Sequence, residues 1–157
     1  MPRGSTEIGS VKPLVHTHLS AAFPSTATRL WKVAVSTPVF LDDASEEPVA
    51  MFVATVNLGD FELLQSKQGN NQVAVLVEAR DGPTQGTILQ HPLMEKRRTA
   101  GVNMEGEKYQ IGDGLIDRLL AGRDVNYIDP LAKAEGGEPY SGPWIAAMQP
   151  VSLPPKQ

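Results

Sequence analysis

The chain has no cysteine in its 157 residues. That absence excludes disulfides, thiolate nucleophiles and cysteine-based metal centres together. No apolar run approaches the roughly 18 residues of a membrane helix, and Met1 leads into polar sequence containing Pro2 and Gly4 where a secretory leader would be apolar. Positive charge is also scarce. Fourteen Lys and Arg face 18 Asp and Glu, for a net charge of -4. The single basic cluster, Lys96-Arg97-Arg98, reads as a solvated turn. A nucleic-acid partner is therefore not expected.

Motifs that carry catalysis are missing as well. Ser20, Ser25 and Ser36 stand outside any Gly-x-Ser-x-Gly elbow. No Walker loop or Gly-x-Gly-x-x-Gly follows a strand, and Gly112-Asp113-Gly114 reads as a turn before a helix. Asp42-Asp43 and Glu46-Glu47 read as a solvated acidic turn. His16 and His18 would share one face of a strand, a spacing that suits zinc or copper, with His91 as a third ligand. No carboxylate or cysteine stands at a matching spacing, so polar loop histidines are the preferred reading. The expectation is a chain with no cofactor, no metal and no catalytic activity.

What is present is a chain able to build one core. The hydrophobic share is 41%, and the 13 prolines and 14 glycines point to long, stiffened loops between ordered elements. Residues 1–13 read as a tail or cloning scar, since Met1-Pro2-Arg3-Gly4-Ser5 has that character. Residues 14–157 read as a single domain, either trimmed at both ends or natively shortened.

Trp31 to Phe40 predicts a strand with Trp31, Val33, Val35 and Thr37 on one face. After the acidic turn, Val49 to Leu58 predicts a second strand, apolar enough to be buried on both faces. Asp60 to Lys67, with Phe61, Leu63 and Leu64, predicts a short amphipathic helix. Val73 to Ala79 predicts a third strand, turned by Arg80-Asp81-Gly82-Pro83, and Gly86 to Pro92 a fourth closed by proline. Leu115, Ile116, Leu119 and Leu120 predict a helix stopped by Gly122. Asp129 to Pro143 reads as a loop and Trp144 to Met148 as a last strand. The expected class is α+β, with residues 31–39, 49–58, 73–79 and 144–148 in one central antiparallel sheet.

The hairpin Trp31-Lys32-Val33-Ala34-Val35-Ser36-Thr37-Pro38-Val39-Phe40 and Val49-Ala50-Met51-Phe52-Val53-Ala54-Thr55-Val56-Asn57-Leu58 resembles the central hairpin of a Cache domain. Val75 to Gly82 with its Asp-Gly turn, and Ile88-Leu89-Gln90-His91-Pro92, are similar to the family's next apolar strand and closing His-Pro. Leu19-Ser20-Ala21-Ala22-Phe23, Tyr127-Ile128-Asp129-Pro130 and Tyr140 to Ala147 resemble the variant found in receptor-type Ser/Thr kinases of planctomycete-like bacteria. The resemblance spans roughly residues 18–151. It implies a PAS-like curved sheet that holds a small molecule, in the periplasmic or extracellular part of a membrane-anchored signalling protein, with a homodimer among the expectations. Two features depart from the family's amino-acid sensors. Arg29-Leu30-Trp31-Lys32 runs straight into the strand, and Thr55 stands about where those sensors place an aspartate that grips an ammonium group.

On this reading the ligand lies between the sheet face carrying Thr55 and the loops around 18–25 and 127–131. Thr55, Asn57 and Ser36 supply polar groups from the strands. Arg80 stands at the rim as a carboxylate clamp. His18, Ser20, Tyr127 and Asp129 come from the loops. Simpler roles exist for each: a turn arginine, an Asp-Pro turn, and hydroxyls bonded to nearby backbone. Trp31 and Trp144 are expected in the core. The alternative function is a Cache-like structural or dimerisation module whose interior is filled by side chains.

Overall fold

Trp31 opens the longest strand, and the rest of the architecture is arranged about it. The computed structural model describes residues 13–28, 30–42, 44–58, 72–104, 106–112 and 114–151. The chain order is β1 (His18–Leu19), β2 (Phe23–Pro24), β3 (Trp31–Val39), β4 (Ala50–Asn57), β5 (Leu76–Val77), β6 (Ile88–Gln90), α1 (Pro92–Thr99), α2 (Leu115–Leu120), β7 (Val125–Ile128) and β8 (Pro143–Ala146). Two 3-10 turns, Pro130–Lys133 and Glu138–Tyr140, lie between β7 and β8. Helices and antiparallel sheets make the class α+β.

β3 and β4 pair antiparallel in unbroken register from Lys32 opposite Asn57 to Val39 opposite Ala50. Alternation places Trp31, Val33, Val35 and Thr37 on one face, as the pattern predicts. The other edge of β3 takes both β1 and β2. Their registers differ by one residue: His18 opposes Ser36 and Phe23 opposes Lys32. The chain between them must therefore leave the ladder. The Ser20 hydroxyl bridges this break. Its Oγ accepts from Ala34 N at 2.8 Å, while Ser20 N donates to Ala34 O at 2.9 Å.

The expectation of one continuous sheet is not met. Among the described residues β5 pairs only with β6, and β7 only with β8, each as a separate two-stranded sheet. The physical reason lies at the strand ends. Pro92 cannot extend the β6 ladder and starts α1 instead. Residues 109–111 then run beside 86–88, with Ile88 N donating to Tyr109 O and Ile111 N to Gly86 O, and occupy the edge that another strand would need. The third predicted strand, 73–79, shortens to Leu76–Val77.

Three further differences concern burial and helices. β4 is largely exposed, although its apolar run predicts burial on both faces: Phe52 is 65% and Val53 54% exposed. Cover reaches only the Trp31–Leu58 end, where Leu89 joins the buried cluster with Leu76, Val33 and Met94 packed against it. α1 stands where the sequence reads as a strand end and a basic turn. Its signals are a proline in the first turn, Glu95 near its start, and Lys96, Arg97 and Arg98 in its last turn, where cations favour the helix dipole. α2 buries Leu115, Ile116 and Leu119 as predicted, but Leu120 is exposed. The predicted helix 60–67 lies outside the described residues.

The larger core joins Ile88, Leu93, Ile111, Leu115, Ile116, Leu119, Val125 and Leu131. Met94 of α1 packs against both this core and the Trp31 cluster. Burial of a side chain such as Leu93 or Leu131 contributes roughly 1.5–3 kcal/mol.

Candidate functional site

Polar side chains that a small molecule would have to reach are held in three places. The first is the junction of α1 and β7. His91 is fully buried and caps α1, its Nδ1 accepting from Leu93 N at 3.0 Å. That bond leaves the ring proton on Nε2, which donates to Asp129 Oδ2 at 3.0 Å. Asp129 Oδ1 in turn accepts from Leu131 N at 2.8 Å and caps the 3-10 turn that follows. Tyr140 meets the His91 ring edge-on, with centroids 4.6 Å apart. Both nitrogens of His91 are thus engaged. It has no lone pair for a metal and no nitrogen for proton transfer, so the reading of His91 as a third ligand beside His16 and His18 falls. Among the described residues no three His, Asp or Glu side chains converge as a metal site.

Asp129 initiates a turn, the simpler of its two predicted roles, and both its oxygens are engaged inside the protein. Tyr127, two residues earlier on β7, is different. Its ring packs against the larger core, and its hydroxyl oxygen is buried with no hydrogen-bond partner among the described residues. Burial pushes its phenol well above the ordinary tyrosine value, and the negative charge of Asp129 pushes in the same direction. Tyr140 is shifted upward by the same two causes in the same order. Tyr127 therefore presents a neutral O–H to whatever meets it.

The second place is the break between β1 and β2. Arg80 Nε donates to Glu78 Oε1 at 2.7 Å and its Nη2 to Glu78 Oε2 at 2.5 Å. Its Nη1 donates to Ser20 O at 2.7 Å and to Leu19 O at 3.3 Å. Glu78 is buried and accepts from Ala22 N at 3.1 Å. Burial alone would raise the Glu78 carboxyl. The Arg80 guanidinium, the amides of Ala22 and Arg80, and the Arg80 charge outweigh it and hold the group below its ordinary value. The pair satisfies Leu19 O, Ser20 O and Ala22 N beside the register change. The sequence brings Arg80 and Ser20 together here in a supporting role, their donors and acceptors spent on the chain itself.

The third place is the face of β3–β4 opposite Trp31. Ser36, Thr55 and Asn57 share it by alternation, beside Lys32, with His18 opposite Ser36 on β1. Thr55 and His18 are exposed. Tyr127 and Asp129 stand apart from this face, on β7 and its end, in a different sheet.

Sequence reading missed one polar cluster. Arg97 is part-buried on α1 and grips Glu107 with two bonds of 2.6 and 2.9 Å, while Tyr109 O–H donates to Glu107 Oε2 at 2.6 Å. Lys96-Arg97-Arg98 is thus a helix end with one structural arginine and not a solvated turn. Trp31 lies in the core as expected, and Trp144 is half-buried with Nε1 donating to Tyr140 O at 2.9 Å. No family model matches the chain, nor does any curated protein or solved structure.

Proposed function

We propose that this chain is a small-molecule-sensing domain of the Cache type, from the extracytoplasmic part of a membrane-anchored signalling protein such as a receptor Ser/Thr kinase. The order of sequence pieces supports the family, and the long antiparallel β3–β4 hairpin in an α+β domain is compatible with it. The observation that carries ligand binding is the buried Tyr127 hydroxyl, which has no hydrogen-bond partner among the described residues. A buried polar group left unpaired costs roughly 1–3 kcal/mol, and a ligand acceptor placed there would remove that penalty. On this reading Tyr127 supplies the principal donor. Asp129 holds the backbone beside it, while Thr55, Ser36, Asn57 and His18 form a separate polar face on the hairpin and Arg80 and Ser20 brace the β1–β2 break.

The test is a thermal-shift screen of the full chain against small metabolites carrying carboxylate, carbonyl or amide acceptors. A ligand that binds only the folded state raises the melting temperature. Tyr127→Phe should then weaken binding about tenfold or more, as expected for one lost hydrogen bond to a ligand. Thr55→Val reports on the hairpin face in the same assay. A metabolite whose affinity is untouched by Tyr127→Phe, or a screen that yields no stabilising compound, overturns the reading.

A further inference from the structure

Among the described residues no strand covers the outer edge of β4 from Met51 to Thr55, and its backbone parity says what fits it. Leu58 N donates to Trp31 O at 2.8 Å, and the register between β3 and β4 continues from there without a break. Residues of an antiparallel strand turn their N–H and C=O alternately to one side and the other. Ala50, Phe52, Ala54 and Val56 therefore face β3, while Met51, Val53 and Thr55 present theirs outward. Pro38, which has no N–H to give, sits opposite outward-turned Met51, as this parity requires. Among the described residues no strand pairs with the outer edge.

An edge of this kind is ordinarily guarded by a lysine, a proline or a bulge. β4 has none of these, and from Val49 to Leu58 it carries no charge. Met51, Phe52, Val53 and Val56 are all exposed. We infer that β4 pairs antiparallel with β4 of a second copy of this chain, about a two-fold axis through Val53, joining two β3–β4 hairpins into one continuous sheet. In that register Met51 lies opposite Thr55 and Val53 opposite its own counterpart. Every outward N–H and C=O of Met51, Val53 and Thr55 then finds a partner. On the other face Phe52 meets Ala54, a large group beside a small one. Identical charged edges repel one another, and this edge, in a chain of net charge -4, avoids that penalty because its strand is neutral. The uncharged, extended segment that the edge needs is the segment it already is.

The experiment is the solution mass of the full chain by light scattering and sedimentation over a range of micromolar concentrations. The wild type should give twice the chain mass. Val53→Pro deletes an outward N–H at the axis and leaves the ladder to β3 intact, so it should dissociate at concentrations at least tenfold higher, with an unchanged circular dichroism spectrum. Val53→Lys, which puts two like charges across the axis, should do the same and serves if the proline variant fails to fold. A monomeric wild type overturns the proposal, whether the edge is left open or covered by another part of the chain. So does a dimer that persists in both variants, because it would use another surface.

Discussion

His91 and Asp129, 38 residues apart, cap two different helices and hydrogen-bond to each other. Each precedes a proline, and each accepts from the amide two residues on, Leu93 N and Leu131 N. The atoms left over, Nε2 and Oδ2, close the bond between them at 3.0 Å. One buried contact thereby fixes where α1 starts, where β7 ends and how the two elements sit against Leu93 and Leu131, both fully buried. Cutting it should be among the most damaging single changes in the protein.

Asp129→Ala strands His91 Nε2–H and Leu131 N–H in a site with no water access. Loss of a buried paired group together with a cap should cost about 3 kcal/mol or more. Asp129→Asn keeps an acceptor for Leu131 N and should cost less. Urea unfolding measures both. A loss below about 1 kcal/mol for Asp129→Ala would show that the contact is incidental.

Glu78 makes stability depend on pH in a definite direction. Its carboxyl titrates below the ordinary value of 4.5 in the folded chain. A group depressed in this way contributes stability that is fully present above the unfolded value and fades as pH falls through the folded one. Glu107, held down chiefly by Arg97 and then by Tyr109, acts in the same sense. Melting temperature should therefore fall as pH drops below about 4.5. Glu78→Gln should be less stable at neutral pH and show a shallower acid loss. A variant whose acid profile runs parallel to the wild type would mean that Glu78 ionises as it does in the unfolded chain.

Two tyrosines should respond oppositely to removal of the hydroxyl. Tyr127 O–H has no partner among the described residues, so without ligand Tyr127→Phe should be neutral or stabilising by up to about 1 kcal/mol. Tyr109 O–H donates to Glu107 and accepts from Arg97, so Tyr109→Phe should cost about 1 kcal/mol. Equal losses at both positions would indicate that Tyr127 is already satisfied in the free protein.

Gly137 sits between the two 3-10 turns, where a side chain has no room. A Cβ there would overlap Leu131 O and lie 2.9 Å from Ala132 C and O, all backbone atoms that cannot swing aside. Gly137→Ala should cost about 2 kcal/mol or more through displaced backbone around Leu131. Gly101→Ala meets no atom within 4 Å, and at φ +77° it carries only the cost of a left-handed alanine, about 1 kcal/mol. Thermal melts of the two variants compare them directly, and the order should not invert.

The β3–β4 hairpin, the face shared by Trp31, Val33, Val35 and Thr37, and α2 with its stop at Gly122 are all legible in the chain, because each depends on alternation or spacing among neighbours in sequence. α1 is not read from the chain: Pro92, Glu95 and the basic run 96–98 suit a helix, but a His-Pro pair also ends strands, and nothing local separates the two outcomes. Of the candidate site, Thr55 and Asn57 share a face by strand parity alone, and Ser36 joins them only through the β3–β4 register. The engagement of Arg80 with Leu19 and Ser20 is not legible in the chain, because these partners lie about 60 residues away.

The sequence by itself determined the α+β class, the hairpin and the alternation of faces within each strand, since these are set by φ/ψ preference and by side-chain period over a few residues. Only the tertiary structure decided that β5–β6 and β7–β8 form sheets of their own, that β4 stays exposed, and that His91 and Asp129 are consumed by each other while the Tyr127 hydroxyl finds no partner among the described residues. Burial and hydrogen-bond satisfaction are properties of what packs against a residue, and for these residues the neighbours come from distant parts of the chain.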